Sequence, residues 1–566
     1  MMLSTRAKAL VAKILPRALS APHTSLCLGD NVLKSDKHGD ASLHRFTRGR
    51  FVCNEEYEMR QHHVDFDLRQ LEKLAARAAN ATRCVHVKKF PDGLHNKALL
   101  MTMDDGKEVV VKLPNPNAGR PHFTTASEVA TLDFIRSCMS IPVPKVLSWS
   151  SKAESNPVGA EYIIMEKANG VSLESVWPRM KLADRLTIMK TLVEYQKLWA
   201  STPFPAYGSL YYDSDLSSDT HSVPCESQAS FSGAAFVIGP SEGRDWIDDG
   251  RMLIEFDRGP WTSALDYLTA VGKRERECIR QMPVLPKSPI TLCGPNLYQP
   301  KVATKLKAVD CYFELLHIVS PSDSVLNRPC IWHSDLHVEN IFVDPDEPTR
   351  ITSIIDWQSS EVAPLYIHAR QPYLMDYDCD DTLSLERPRK PDYYSELSPG
   401  EKQRADQLLF DRSLCVLYRI LVSKTVPDIW KCLQFRQTTA FDLILTARNL
   451  LTDGEAVYLA HALELLEDGA PISGVEDQST TLPISFSAEE KKQIMSDIEA
   501  ATLGMRAMSG IKDALGDLFP ERGIVKSERY DEAKDALQQM KEQVIEQFAH
   551  SEEERAAWMR SWPFDD

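Results

Sequence analysis

The sequence predicts an α+β chain of two lobes, a small antiparallel-sheet lobe followed by a larger, mainly helical one, and three patterns carry that prediction. Ahead of residue 170, short apolar or alternating runs dominate: Cys84 to Phe90, Ala98 to Met103, Glu108 to Lys112, Lys145 to Trp149 and Tyr162 to Met165. Between the second and third of these stands Asp104-Asp105-Gly106, a hairpin signal, because an Asp-Gly step supplies the positive φ that joins two antiparallel strands. Beyond residue 390 the pattern is helical, and two starts are marked by capping boxes. In Ser398-Pro399-Gly400-Glu401 and in Ser487 with Glu490, a hydroxyl and a carboxylate three residues apart satisfy each other's backbone amides.

The remaining elements follow in order. Phe66, Leu68, Leu71, Leu74, Ala75 and Ala78 have the spacing of a short helix that leads into the sheet. A second helix is predicted from Thr125, with Glu128 three positions on, to about Ser140, ahead of Pro142. Residues 171–325 read as mostly helical with polar interruptions, among them the serine-rich patch near 214–233. The His62-His63 pair lies in a polar stretch and is expected to face solvent. The predicted organisation is a leader at 1–29, an N-terminal extension with a short helix at 30–80 and a small lobe at 81–168. A large lobe at 169–470 carries a helical insertion, and a C-terminal helical extension occupies 471–566.

Composition excludes several classes. The 566 residues are 43% hydrophobic and 26% charged, the proportions of a globular protein, and no run of 18 apolar residues suggests a membrane span. A formal charge of −16 with no basic patch argues against a nucleic-acid partner. Twelve cysteines are dispersed without a CxxC pair, which points to buried free thiols rather than to zinc or a disulfide framework. The N-terminus departs from the acidic average. Arg6, Lys8, Lys13 and Arg17 precede the first acid, Asp30, and Leu3, Leu10 and Ile14 recur among small and hydroxyl residues, as in a mitochondrial transit peptide. The expected destination is the mitochondrial matrix; the other reading is a basic tail.

Five groups of residues suggest phosphoryl transfer, which needs phosphates held in line, their charge neutralised and an acceptor hydroxyl positioned. In His333-Ser334-Asp335-Leu336-His337-Val338-Glu339-Asn340, Asp335 is placed to accept a hydroxyl proton and Asn340 to offer a neutral oxygen to Mg²⁺. Two strand-like runs about the Asp344-Pro345-Asp346 turn then end at Asp356, a second metal ligand. Asp-loop-Asn, strand, turn, strand, Asp is the order of a protein-kinase-like fold. Lys112 closes the Val109-Val110-Val111 run and could reach the α- and β-phosphates of ATP, with Glu128 as its partner. Glu128 also stands where the capping-box carboxylate after Thr125 would stand, and both roles remain open at this point. The segment Pro91-Asp92-Gly93-Leu94-His95-Asn96-Lys97 is the candidate phosphate loop, with Gly93 and Asn96 beside the nucleotide, although it has one glycine and no GxGxxG. Glu166 to Ala168 would connect the lobes and offer backbone groups to adenine.

Together these residues resemble the aminoglycoside phosphotransferase/choline kinase branch of the kinase fold, marked by HGDLHxxN followed by IDW or IDF; here the strings are HSDLHVEN at 333–340 and IIDW at 354–357. FPDGLHNKALLMTMDDGKEVVVKLPNPNAG, FTTASEVATLDF and EYIIMEKANG look like the fungal mitochondrial "altered inheritance of mitochondria" proteins of that branch, over roughly residues 50 to 565. The resemblance implies a lysine–glutamate pair in Lys112 and Glu128, a catalytic aspartate in Asp335 and magnesium ligands in Asn340 and Asp356. Ser334 replaces the usual glycine, which is tolerable unless the position needs a positive φ. The expected activity is transfer of the γ-phosphate of ATP to a hydroxyl of a small molecule. Overall acidity favours a cationic or neutral acceptor. The alternative is a catalytically silent nucleotide-binding scaffold that acts through partners.

Overall fold

The computed structural model describes residues 41–229, 233–375, 383–468 and 483–565; the expected leader at 1–29 lies outside them. Helix α1 (Leu68–Ala78) is capped by Asp67, whose side chain accepts from the Gln70 amide, and it buries Leu71, Ala75 and Ala76. These residues pack on the small sheet, formed by β1 (Cys84–Lys89), β2 (Asn96–Met103), β3 (Glu108–Pro114), β4 (Val146–Ser150) and β5 (Tyr162–Glu166). The strand order is β1-β2-β3-β5-β4, antiparallel throughout. Gly106 turns the β2–β3 hairpin at φ +82°, as the Asp-Gly step predicts.

Helix α2 (Phe123–Ser137) begins two residues before the expected Thr125 and ends before Ser140. Its N-terminus is capped from outside the helix. The Glu161 carboxylate, just ahead of β5, accepts from the His122 amide at 2.7 Å and bonds the Thr125 side chain. A distant carboxylate therefore does what the local Thr125/Glu128 box was able to do, and Glu128 is released for another role.

The large lobe runs through β6 (Val171–Ser172), α3 (Leu182–Ser201), β7 (Ser209–Tyr212), β8 (Val223–Ala229) and β9 (Ala235–Gly239). The expectation of a mostly helical 171–325 segment is corrected here, because the last three strands form an antiparallel sheet of order β7-β9-β8. Helices α4 (Ala264–Gln281) and α5 (Val302–Val319) follow, then the short strands β10 (Pro329–Ile331), β11 (Ile341–Val343), β12 (Ile351–Ile354) and β13 (Val362–Pro364). Long helices close the chain, among them Pro399–Thr425 and Ala488–Leu515, and both begin with complete capping boxes at the predicted serines. The architecture is thus the expected two lobes, one a small antiparallel sheet and the other mainly helical.

The connector between the lobes is Lys167–Gly170. Gly170 has φ +92°, and a Cβ there would sit 2.1 Å from the Val343 carbonyl oxygen, so only glycine fits. The chain then enters β6, which pairs with β11, the strand that leaves the Asp335 loop. The lobe crossing is in this way tied to the loop that carries Asp335.

The N-terminal extension is packed against the rest of the chain. Lys89 Nζ donates to the Ser42 and Arg45 carbonyls at 2.8 and 2.7 Å and to Asp92 Oδ2 at 2.7 Å. Asp92 is fully buried and also accepts from the Thr47 amide. Lys97 Nζ donates to the His62 carbonyl at 2.6 Å, and burial pulls the Lys97 ammonium down to about 8. His62 is 2% exposed, against the expectation that it faces solvent, because its ring packs at tilted angles against Phe46 and Phe51. The two-residue strand Arg50–Phe51 pairs with Ile524–Val525 and so joins both ends of the chain. None of the ten cysteines among the described residues forms a disulfide; five are buried and five half-buried. Among the described residues no helix is long and apolar enough to cross a membrane.

Candidate active site

Lys112 lies on β3, where strand alternation turns its side chain toward the cleft, and α2 brings Glu128 opposite. The Lys112 ammonium donates to Glu128 Oε1 at 2.7 Å and to Asp356 Oδ1 at 2.8 Å. Burial alone would lower the Lys112 pKa, but the two carboxylates outweigh it and hold it above the ordinary lysine range. Burial pushes Glu128 up, and Lys112 only partly offsets that push. Burial pushes Asp356 up, but the charge and hydrogen bond of Lys112, with smaller contributions from His333 and Arg244, together hold it below the usual carboxylate range. The Asp356 side chain is 35% exposed, so one end of this triad opens to the cleft. Asp356 adopts φ +64°, a conformation that aspartate tolerates better than most side chains.

Asp335 and Asn340 are brought beside Asp356 by His333. The Asp335 amide donates to His333 Nδ1 at 3.2 Å, and His333 Nε2–H donates to the Ile355 carbonyl at 2.9 Å. Burial keeps this imidazole neutral, as a bridge of one acceptor and one donor requires. The Ile355 amide in turn donates to the Asn340 carbonyl at 2.9 Å, so the loop and the end of β12 lie side by side. Asn340 Nδ2 donates to the Asp335 carbonyl at 2.9 Å, which leaves its side-chain oxygen as the group available to a cation.

The Asp335 carboxylate is oriented by His337, whose Nδ1 accepts from the Glu339 amide at 3.3 Å and whose Nε2–H donates to Asp335 Oδ2 at 3.2 Å. Oδ1 of Asp335 is buried and has no hydrogen-bond partner. Such an atom costs roughly 1–3 kcal/mol when left unsatisfied, and a substrate hydroxyl would satisfy it. Ser334 is not among the residues with positive φ, so the serine in the glycine position introduces no backbone strain.

The candidate nucleotide contacts are arranged less simply. Gly93 is not demanded by its surroundings, since a Cβ there would meet nothing nearer than the Asn96 carbonyl at 3.5 Å. The loop is shaped instead by buried Asp92 and its two lysines. Asn96 Nδ2 donates to Gln358 Oε1, and Gln358 Nε2 donates to the Ala118 carbonyl at 3.3 Å. Gln358 therefore joins the two lobes two residues past Asp356. Glu166 ends β5, where its amide donates to the Lys145 carbonyl at 2.9 Å, and Ala168 lies half-buried on the connector. Among the described residues no three His, Cys, Asp or Glu side chains form a metal-binding group. Asn340 and Asp356 offer one amide oxygen and one carboxylate, a set suited to Mg²⁺ that completes its shell with phosphate oxygens and water.

Sequence reasoning did not give roles to His333, His337 or Gln358. The two histidines stand within the recognised string, and their i, i+2 spacing to Asp335 was the available signal. Gln358 had none, because its partners come from the other lobe.

Residues 297–367, which include the Asp335 loop and Asp356, match the profile described as the phosphotransferase enzyme family. The chain is 27% identical over 514 residues to a subtelomeric hrmA-associated cluster protein of Aspergillus fumigatus, which covers 85% of this chain and 97% of that protein. It is 23% identical over 506 residues to altered inheritance of mitochondria protein 9, mitochondrial, of Yarrowia lipolytica, with 84% of each covered. Among solved structures it is similar to an aminoglycoside phosphotransferase in a ternary complex with streptomycin and ATP, at 13% identity and a TM-score of 0.35, over 71% of this chain and 97% of that one. The matched profile and the fungal relatives bear out the resemblance drawn from HSDLHVEN and IIDW.

Proposed function

We propose that this chain is an ATP-dependent phosphotransferase that moves the γ-phosphate to a hydroxyl of a small molecule. The observation that carries the reading is the convergence of Lys112, Glu128, Asp356, Asn340 and Asp335 on one cleft, with Oδ1 of Asp335 buried and unsatisfied. Lys112 exchanges its bond to Asp356 for phosphate oxygens while Glu128 keeps the ammonium aimed. Asp335 accepts the proton of the acceptor hydroxyl at Oδ1, and His337 holds the opposite oxygen. Asn340 and Asp356 would hold Mg²⁺, which neutralises phosphate charge. Positioning of this kind contributes about 7–11 kcal/mol to lowering a barrier.

The test is thermal unfolding with and without MgATP. A ligand that binds only the folded state stabilises it by about 2.7 kcal/mol at a hundred times its Kd. We expect a magnesium-dependent rise in Tm that Asp356→Asn abolishes. A variant that keeps the full rise would remove Asp356 from the metal site. The loop clamped by Asp92 favours a second reading, a nucleotide-binding scaffold; it predicts the same rise in Tm but no ADP formation with any alcohol.

The basic N-terminus and the mitochondrial name of the Yarrowia lipolytica relative support import into mitochondria, for which the matrix is our proposed destination. A fluorescent fusion lacking residues 1–29 is expected to stay in the cytosol; continued import would disprove the leader.

A further inference from the structure

The segment that carries Asp356 runs on into a rigid turn. Trp357 is fully buried, and its ring meets His333 and Trp199 edge-on at centroid distances of 4.7 and 5.7 Å. Its indole N–H donates to the Ile354 carbonyl at 3.3 Å, and Ser360 Oγ donates to the Trp357 carbonyl at 2.8 Å. Asp356 and Ser359 both adopt positive φ, at +64° and +55°. Gln358 lies between them and is 7% exposed. Its backbone belongs to the large lobe, and both of its side-chain bonds are made to the small one.

Those bonds close a brace around the candidate phosphate loop. The Leu94 carbonyl accepts from Asn117 Nδ2 at 3.1 Å and from Asn115 Nδ2 at 3.4 Å, and the His95 carbonyl accepts from the Asn115 amide at 2.8 Å. Asn115 is 3% exposed, and its own carbonyl accepts from the Ala118 amide at 2.9 Å across the turn Pro116–Ala118. Gln358 Nε2 donates to the Ala118 carbonyl at 3.3 Å, at one end of the brace, and Gln358 Oε1 accepts from Asn96 Nδ2 at the other. One side chain thus ties both the loop and its brace to the segment that holds Asp356. The bond from Lys112 to Asp356 spans the same cleft.

We propose that Gln358 and Asn96 are positioning residues whose bond sets the height of the phosphate loop over Asp356, and with it the grip on the β- and γ-phosphates. The proposal rests on the phosphotransferase reading above. In that reading Lys112 gives up Asp356 to phosphate, whereas the Gln358 tie is uncharged and survives the arrival of the nucleotide. Asn96 reaches Gln358 through its NH₂ group, and its Oδ1 is buried without a hydrogen-bond partner. That oxygen is an acceptor, which phosphate oxygens cannot satisfy. What the pair supplies is therefore position. A loop with one glycine cannot drape itself over phosphates. Its shape is fixed by Asp92 and by the two asparagines, so its distance from Asp356 is set from the other lobe. With the tie broken the cleft opens, and apparent affinity falls with the population of the closed form.

The experiment is calorimetric titration of the full-length chain with adenylyl imidodiphosphate and, separately, with AMP, each in excess Mg²⁺. It compares the parent with Gln358→Ala, Asn96→Ala and the double variant. Each single change should weaken the imido analogue about threefold to tenfold, the range of one hydrogen bond. The double variant should be no weaker than either single, because all three lack the same bond. AMP, which has no β- or γ-phosphate, should bind every variant within about twofold of the parent, a split that a general loss of structure would not give. Losses that add in the double variant, an equal loss for AMP, or an unchanged or tighter analogue affinity in Gln358→Ala overturns the proposal. A parent chain that binds neither nucleotide overturns the phosphotransferase reading with it; a parent that binds the analogue no better than its variants overturns this inference alone.

Discussion

Asp335→Asn is expected to lower phosphoryl transfer by about a thousandfold, within the range that a positioned general base contributes, while MgATP still raises the melting temperature as in the parent. Asparagine fills the same space and keeps the backbone bonds to His333 and Asn340, both of which use Asp335 main-chain atoms. The change falls on the carboxylate oxygens alone. An amide has no basic oxygen to receive the hydroxyl proton, and the His337 bond to the former Oδ2 would meet either a carbonyl or an NH₂ group. ADP formation in the presence of a turnover-supporting alcohol, set beside the thermal shift with MgATP, separates the two effects. Retained turnover would remove Asp335 from the proton-accepting role; loss of the thermal shift would mean the loop had collapsed.

The second large effect is on stability. Lys112→Met is expected to destabilise the fold by about 3–5 kcal/mol at neutral pH, because removing one partner of a buried ion pair leaves the other uncompensated. Glu128 is 5% exposed and lies 2.7 Å from Lys112. Burial already raises the Glu128 pKa with the lysine present, and without it the carboxyl rises further and takes up a proton in the folded state. A group whose folded pKa is raised is most favourable below its unfolded pKa and loses that contribution as pH climbs through the folded value. The deficit relative to the parent should therefore be smaller at pH 5 than at pH 8. Urea midpoints at the two pH values check this. Equal midpoints for variant and parent at pH 8 would show that the pair does not hold Glu128.

Legibility in the sequence followed the reach of each interaction. The Asp104-Asp105-Gly106 hairpin and the capping boxes at Ser398 and Ser487 are local codes, each written within a few residues, and the structure forms all three; Asp335, Asn340 and Asp356 are spread over a longer stretch, and it is the bond from the Ile355 amide to the Asn340 carbonyl that sets the two segments side by side. The start of α2 was misjudged because its cap, Glu161, arrives from a strand that the helix start does not reveal. The β7-β9-β8 sheet escaped notice because the polar, serine-rich stretch around β8 hid the strand pattern. His62 looked like an exposed polar residue and is instead buried against two phenylalanines supplied by its own extension.

The packing of the N-terminal extension would limit where the proposed leader can be removed. Removal of the leader at any point before Ser42 spares the carbonyls that receive Lys89 and the strand that pairs with Ile524–Val525. A cut past Phe51 would strip backbone acceptors from Lys89, leave Asp92 without its Thr47 donors and unzip Ile524–Val525. For a leader removed as proposed, the same stretch would act as a gauge of how far the cut can reach: a chain trimmed too far would lose the bonds that shape its candidate phosphate loop and the pairing that anchors Ile524–Val525 in one event.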